Sequence, residues 1–130
     1  EGRAGDNIGV RVRDGCSGGC LFFAPSLGRI DVTVMSHKAE ADCLLVDGTL
    51  WTDDEMIRTG IGDKRGSDMG HLDQSGRGGI LEQLRRLTKP RKILIHINNT
   101  NPILDEESAE RRALKRAGIE VAFDGMQIEL

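Results

Sequence analysis

The chain has 130 residues, a hydrophobic fraction of 38%, a charged fraction of 30% and a formal net charge of -3. These values are typical of one soluble globular domain, and no apolar run is long enough to span a membrane. The acidic balance provides no basic surface for nucleic acid, and aromatic residues, at 3% of the chain, offer few rings to stack on bases. We therefore expect neither a nucleic-acid nor a membrane function.

The cysteine content gives information about the compartment. Three cysteines are an odd number for a secreted disulfide scaffold, which favours a reducing compartment and a cytoplasmic protein. Cys16 and Cys20 lie in a Gly-rich turn without the two further ligands that a structural zinc site needs. The sequence starts with Glu-Gly-Arg-Ala-Gly, with neither an initiator methionine nor a signal peptide, so we expect a part of a longer protein.

The first half of the chain predicts three strands. Apolar and polar residues alternate from Asn7 to Arg13, and after a Gly-rich turn Cys20 to Ala24 completes a β-hairpin. The segment from Ser26 to Ala41 is ambiguous, because its first half alternates like a strand and its second half has a helical composition. The continuous apolar run from Cys43 to Val46 then predicts a central strand that is buried on both faces.

Two polar residues stand at the ends of predicted strands. Asp47 ends the central strand and is followed by Gly48, so it either forms a turn with its own backbone or projects into a ligand-binding crevice. His96 follows an Ile-rich run between Pro90 and an Asn-Asn-Thr-Asn-Pro turn, which places it at the carboxyl end of a strand. The alternative for His96 is a core histidine that bonds to the backbone. The polar turn after it is expected to supply donors and acceptors to a site.

A third polar residue, His71, precedes an amphipathic helix that we predict between Ser75 and Leu87. It is either a polar loop residue or a member of the same site. One aspartate and two histidines are the residue types that bind Zn or Fe(II), because carboxylate and neutral imidazole suit these ions. Their long separations in sequence mean that only the fold can bring them together.

The last third of the chain predicts a surface helix and a hairpin. Asp105 is a good N-cap for a helix that ends at Gly118. Asp124-Gly125 is a strong two-residue turn signal between strands predicted at 119 to 123 and 126 to 130.

Two long blocks of sequence resemble a known family. Leu-Leu-Val-Asp-Gly-Thr-Leu-Trp around Asp47 and Ile-Leu-Ile-His-Ile-Asn-Asn-Thr-Asn-Pro-Ile-Leu around His96 are similar to the last two metal-ligand motifs of the metallo-β-lactamase superfamily. Within it, the chain resembles the pyrroloquinoline quinone biosynthesis protein B family, in blocks that run from Asp6-Asn7 to Asp124-Gly-Met126. His71 resembles the extra histidine of the superfamily's tRNase Z-like branch. The motif His-x-His-x-Asp-His of the superfamily's amino-terminal half does not occur in this sequence.

The resemblance implies an α/β (α+β) fold that is half of a metallo-β-lactamase-like αββα sandwich. Residues 1 to 130 would form its carboxyl-terminal half, a mixed sheet with helices on one face. The other face would be apolar and available for association, including with a second copy. Asp47 and His96 would be metal ligands, His71 a catalytic residue, and the metal Fe(II) or Zn. Where the family usually has Met or Pro soon after that histidine, this sequence has Leu72-Asp73-Gln74.

The resemblance also implies a role in the biosynthesis of pyrroloquinoline quinone. One form of this role is iron-dependent hydroxylation of the tyrosine of a peptide-derived Glu-Tyr precursor. A second is a carrier that transports the quinone or its precursor without metal chemistry. A third is a metal-dependent hydrolase of the wider superfamily, which needs an activated water. The implied partner is a small peptide-derived or quinone molecule. We expect the 130 residues alone to bind metal weakly and not to turn over.

Overall fold

A five-stranded mixed sheet organises the chain in the computed structural model, which describes residues 7 to 130. The strands are β1 (Val10–Arg13), β2 (Cys20–Ala24), β3 (Cys43–Asp47), β4 (Arg91–Ile95) and β5 (Ile119–Val121), and they lie in the sheet in that order. β1 pairs antiparallel with β2 as the predicted hairpin, and all other neighbours are parallel. Parallel neighbours need a crossover, which explains why helices separate β2, β3, β4 and β5 along the chain.

The helices are α1 (Val32–Glu40), α2 (Glu55–Arg58), α3 (Ile80–Arg85) and α4 (Ala109–Arg116), with 3-10 turns at Ser67–Met69 and Pro102–Leu104. In the ambiguous segment the helical interpretation is correct from Val32 onward. The Asp31 side chain accepts a hydrogen bond from the Val34 backbone N–H and so caps α1.

One face of the sheet forms the core. Strand residues of this face alternate, as the pleat requires, and pack with apolar residues of the helical layer. They are Phe22, Ala24, Leu44, Val46, Leu94, Ile119 and Val121. The opposite face is also apolar, and Val10 and Val12 are exposed on it, whereas Ile93 is fully buried. The prediction of an α/β fold with a mixed sheet and helices on one face is therefore confirmed.

Two predictions for the last third of the chain are wrong in detail. α4 is capped by Ser108, whose hydroxyl accepts from the Arg111 backbone N–H, whereas Asp105 ends the preceding 3-10 turn. The turn at Asp124-Gly125 forms, with a φ of 85° at the glycine, but no strand follows it within the described residues. Instead, Leu130 reaches back to Gly19, the residue before β2.

Candidate metal centre

Asp47 is the buried centre of the site at the carboxyl edge of the parallel strands. Its side chain is fully buried, and its carboxylate accepts four hydrogen bonds. Oδ1 accepts from the Thr49 backbone N–H at 3.0 Å and from Thr49 Oγ1 at 2.6 Å. Oδ2 accepts from the Leu27 N–H and lies 2.8 Å from His71 Nδ1. One oxygen therefore closes a local turn, and the other lies against the His71 ring.

His71 lies in the loop between the 3-10 turn and α3. Gly70 takes the left-handed conformation with a φ of 81°, and the His71 N–H donates to Gly66 O, which directs the imidazole toward Asp47. Its side chain is 12% exposed. The histidine is nine positions before the first residue of α3, Ile80, so it belongs to the loop and not to the amino end of that helix. Its Nδ1 nevertheless lies 2.8 Å from Asp47 Oδ2.

His96 directly follows β4 and is exposed, which excludes the core-histidine alternative. Its φ of 55° is the only positive φ of a non-glycine residue among residues 7 to 130. This left-handed conformation costs about 1–2 kcal/mol and turns the chain away from the sheet. The ring stacks on that of His71, with centroids 5.3 Å apart. Strain of this kind is typical of functional sites.

Asp47, His71 and His96 together form a group that can hold a metal ion, because one ligand atom from each lies within 4.8 Å of the others. The group runs from the buried Asp47 through the half-buried His71 to the exposed His96, so it is accessible from solvent. The donor set of one carboxylate and two imidazoles fits a divalent ion such as Zn or Fe(II). The three residues predicted from sequence are therefore brought together by the fold.

Thr49 is the site residue that sequence reasoning missed. Its hydroxyl oxygen lies 2.9 Å from His96 Nδ1 and 3.1 Å from His71 Nδ1, in addition to its contact with Asp47. A threonine two positions after a strand-ending aspartate is an ordinary turn residue. No signal in the sequence distinguishes that role from a contact with two distant histidines.

Buried amides hold the turn that carries Asp47 and Thr49. Gln74 donates to Gly48 O at 2.7 Å, and Asn101 donates to the same oxygen at 3.0 Å and to Thr49 O at 3.2 Å. Both amides are almost fully buried. A β-carbon at Gly48 would lie 2.8 Å from Leu94 Cβ, so only glycine fits there. These contacts fix the backbone from which the site projects.

The polar turn after His96 supports the site indirectly. Asn98 donates to Thr100 Oγ1, and the Thr100 hydroxyl donates to the buried Glu55 at 2.5 Å. Glu55 also accepts from the Trp51 backbone N–H. These groups therefore connect the loop after β4 to α2. The donors and acceptors that we expected at the site bond to neighbouring loops instead.

Two charged residues near the site have perturbed pKa values. Lys38 is fully buried with no partner for its Nζ, and this burial lowers its pKa to about 8, against the attraction of Asp47. Burial also raises the pKa of Asp73, although a hydrogen bond from the Gly76 backbone opposes the shift. The Asp73 carboxylate thus faces the turn before α3, and Asp73 is not a member of the metal-binding group.

Residues 1–97 match the family model described as the beta-lactamase superfamily domain. The chain belongs to the beta-lactamase superfamily. Within the described residues, no helix is long and apolar enough to cross a membrane.

The particular proteins that it resembles share one name. It is 60% identical over 126 residues to coenzyme PQQ synthesis protein B of Pseudomonas syringae pv. syringae, and 61% identical over the same length to that of Pseudomonas protegens. Each alignment covers 97% of this chain and 42% of the relative. The chain also superposes on Zn²⁺-bound PqqB from Methylobacterium extorquens with a TM-score of 0.90 at 39% identity, over 95% of this chain and 44% of the other.

Proposed function

We propose that this chain supplies part of a metal centre in a protein of pyrroloquinoline quinone biosynthesis. The observation that carries the proposal is the convergence of Asp47, His71 and His96 at the carboxyl edge of the sheet. It is supported by relatives that are named for coenzyme PQQ synthesis and match 97% of the chain. The chain spans only 42% of their length, so the activity of the whole protein is inferred from this part.

Asp47 and His96 are the proposed metal ligands. A strand-ending carboxylate and a neutral imidazole suit Zn and Fe(II) equally in ligand type. The Zn²⁺-bound relative supports a divalent ion at this fold. We propose Fe(II) as the functional ion, because Asp47 and His96 provide a carboxylate and an imidazole, which are the ligand types of non-haem iron oxygenases.

The proposed reaction is hydroxylation of the tyrosine ring of a peptide-derived Glu-Tyr precursor. When bound, a ferrous ion supplies the redox chemistry by which dioxygen, together with a two-electron reductant, hydroxylates an aromatic ring. His71 acts as an acid or binds a carboxylate of the precursor, since its ring is partly accessible and lies 2.8 Å from Asp47 Oδ2. Asp47 holds that ring in place through their hydrogen bond.

The ligand set in this sequence is small. Its three candidate ligands leave most coordination positions to water, substrate or other protein groups. We therefore propose that the 130 residues alone bind metal weakly and do not turn over.

The activity test uses the intact protein and three variants, each checked for folding by circular dichroism. Asp47→Asn and His96→Ala should abolish hydroxylation of the Glu-Tyr precursor. His71→Gln should lose turnover but keep bound metal, because His71 is assigned to proton transfer or substrate binding. Loss of metal in His71→Gln would instead make it a ligand.

The same variants separate the competing functions. A carrier would keep its affinity for the quinone in Asp47→Asn and His96→Ala, and the wild type would not hydroxylate the precursor. A superfamily hydrolase would cleave a generic phosphodiester or lactone in a metal-dependent manner. Either result would contradict the hydroxylase proposal.

A further inference from the structure

The Thr49 hydroxyl is surrounded by more partners than it has protons. Its oxygen lies 2.6 Å from Asp47 Oδ1, 2.9 Å from both His96 Nδ1 and His96 O, and 3.1 Å from His71 Nδ1. A hydroxyl has one proton and two lone pairs, so it can donate to only one of these four atoms. The position of this proton determines which ring nitrogens of the two histidines are protonated.

The carboxylate takes the proton. An ionised carboxylate only accepts hydrogen bonds, and two oxygens 2.6 Å apart without a proton between them would repel each other. The hydroxyl of Thr49 therefore donates to Asp47 Oδ1, which is the closer and the charged one of its two oxygen acceptors, the other being His96 O at 2.9 Å. It presents only lone pairs to the two imidazole nitrogens. His96 Nδ1, at 2.9 Å from that oxygen, must then carry a proton and donate it.

The same reasoning applies to His71. Its Nδ1 lies against Asp47 Oδ2 at 2.8 Å and against Thr49 Oγ1 at 3.1 Å, and both oxygens accept. His71 Nδ1 is therefore protonated as well. In His96, the proposed ligand, a neutral ring with its proton on Nδ1 has an unprotonated Nε2, which is the form that a metal ion binds.

We propose that Thr49 is a positioning residue that fixes the Nδ1-protonated tautomer of His96, so that the Nε2 lone pair of this ligand is available to a divalent metal, and that Thr49 and Asp47 together orient the His71 ring. The consequence for the metal rests on the proposed function, whereas the tautomer assignment does not. Thr49 is well placed for this role because its own backbone is fixed: its C=O accepts from the Asn98 N–H and from the buried Asn101 amide.

The first readout is the tautomer itself. Long-range ¹H–¹⁵N correlation spectra are recorded on the intact, metal-free protein at a pH where the rings are neutral, with signals assigned through His71→Gln and His96→Gln. We expect wild-type His96 to carry its proton on Nδ1. Thr49→Val keeps the shape but removes the acceptor, so the His96 proton should redistribute toward Nε2. Thr49→Ser should restore the wild-type spectrum.

The second readout is Zn²⁺ affinity. Loss of a group that orients a metal-binding histidine typically weakens binding about 10- to 100-fold. We expect that loss in Thr49→Val and an affinity close to wild type in Thr49→Ser. Thr59→Val is the matched control, because the Thr59 hydroxyl donates to the Glu55 carbonyl outside the site; it should leave both readouts unchanged.

The outcomes separate this proposal from the proposed function. A wild-type His96 protonated on Nε2 overturns the role of Thr49 without any variant, even if Thr49→Val fails to fold. Unchanged tautomers and Zn²⁺ affinity in Thr49→Val also overturn it, while leaving the metal site intact. If the wild type binds neither Zn²⁺ nor Fe²⁺, the proposed function fails, and the spectra still decide the tautomer assignment.

Discussion

Replacing the buried Lys38 by methionine should stabilise the protein. Its side chain is fully buried and its Nζ has no hydrogen-bond partner. Burial lowers the pKa of Lys38 from 10.5 to about 8, partly offset by the charge of Asp47. At about 1.36 kcal/mol per pKa unit, this difference corresponds to about 3 kcal/mol of folding free energy. Lys38→Met should be more stable than the wild type by roughly that amount at pH 7.

The pH dependence has a definite sign. Below pH 8 the amine of Lys38 is charged in both the folded and the unfolded state, and the full cost of burial applies. Between about 8 and 10.5 the unfolded chain binds more protons than the folded one, so the free energy of unfolding rises with pH. This rise should be absent in Lys38→Met.

Urea denaturation of the intact protein from pH 7 to pH 10.5 measures the effect as the difference between variant and wild type. Lys89→Met is the control, because Lys89 is exposed and paired with Asp42. If Lys38→Met and wild type were equally stable at pH 7 and had parallel pH profiles, the amine of Lys38 would have to be solvated in the folded state. That result would refute the reasoning.

Two backbone predictions can be checked by the same denaturation assay. Gly48→Ala should destabilise by about 1–3 kcal/mol, because its β-carbon would lie 2.8 Å from Leu94 Cβ; Gly15→Ala, with open space around it, should stay within about 0.5 kcal/mol of wild type. His96→Gly should be about 1–2 kcal/mol more stable than His96→Ala, because the φ of 55° at this position favours glycine. Equal stability of Gly48→Ala and Gly15→Ala would contradict the argument from the close approach of Leu94. Equal stability of His96→Gly and His96→Ala would contradict the argument from the positive φ.

The sheet and the three candidate ligands were predictable because strong local patterns mark them. The apolar run of β3 ends in Asp47, and the Ile-rich run of β4 ends just before His96. Once two such strands are parallel neighbours, their carboxyl ends must meet at one edge. Apolar burial and strand direction together are thus sufficient to bring Asp47 and His96 close to each other.

Elements decided by competition between similar local signals were not predictable. Asp105 and Ser108 are both good N-caps three residues apart, but Asp105 ends the 3-10 turn that begins at Pro102, and Ser108 caps α4. The turn at Asp124-Gly125 forms without a following strand, because the turn signal specifies only local backbone geometry. Strand pairing additionally requires side chains that pack across the pair.

The contacts of Thr49 lie beyond any local pattern. Its hydroxyl meets His71 and His96, which are 22 and 47 positions away in sequence. Only the assembled fold brings these atoms together. The burial of the Lys38 amine also has no local signal in the sequence, because its face of α1 becomes buried only when this helix packs on the sheet.

An anaerobic Fe²⁺ titration with elemental analysis of the intact protein tests whether Asp47 and His96 bind the metal. Wild type is compared with Asp47→Asn, with His96→Ala, and with His37→Gln, which replaces the histidine that stacks on Phe22 outside the site. Iron should be bound in a fixed ratio in the wild type and in His37→Gln, and it should be lost in the other two variants. Equal metal content in all four proteins, or none in the wild type, would contradict this role of Asp47 and His96.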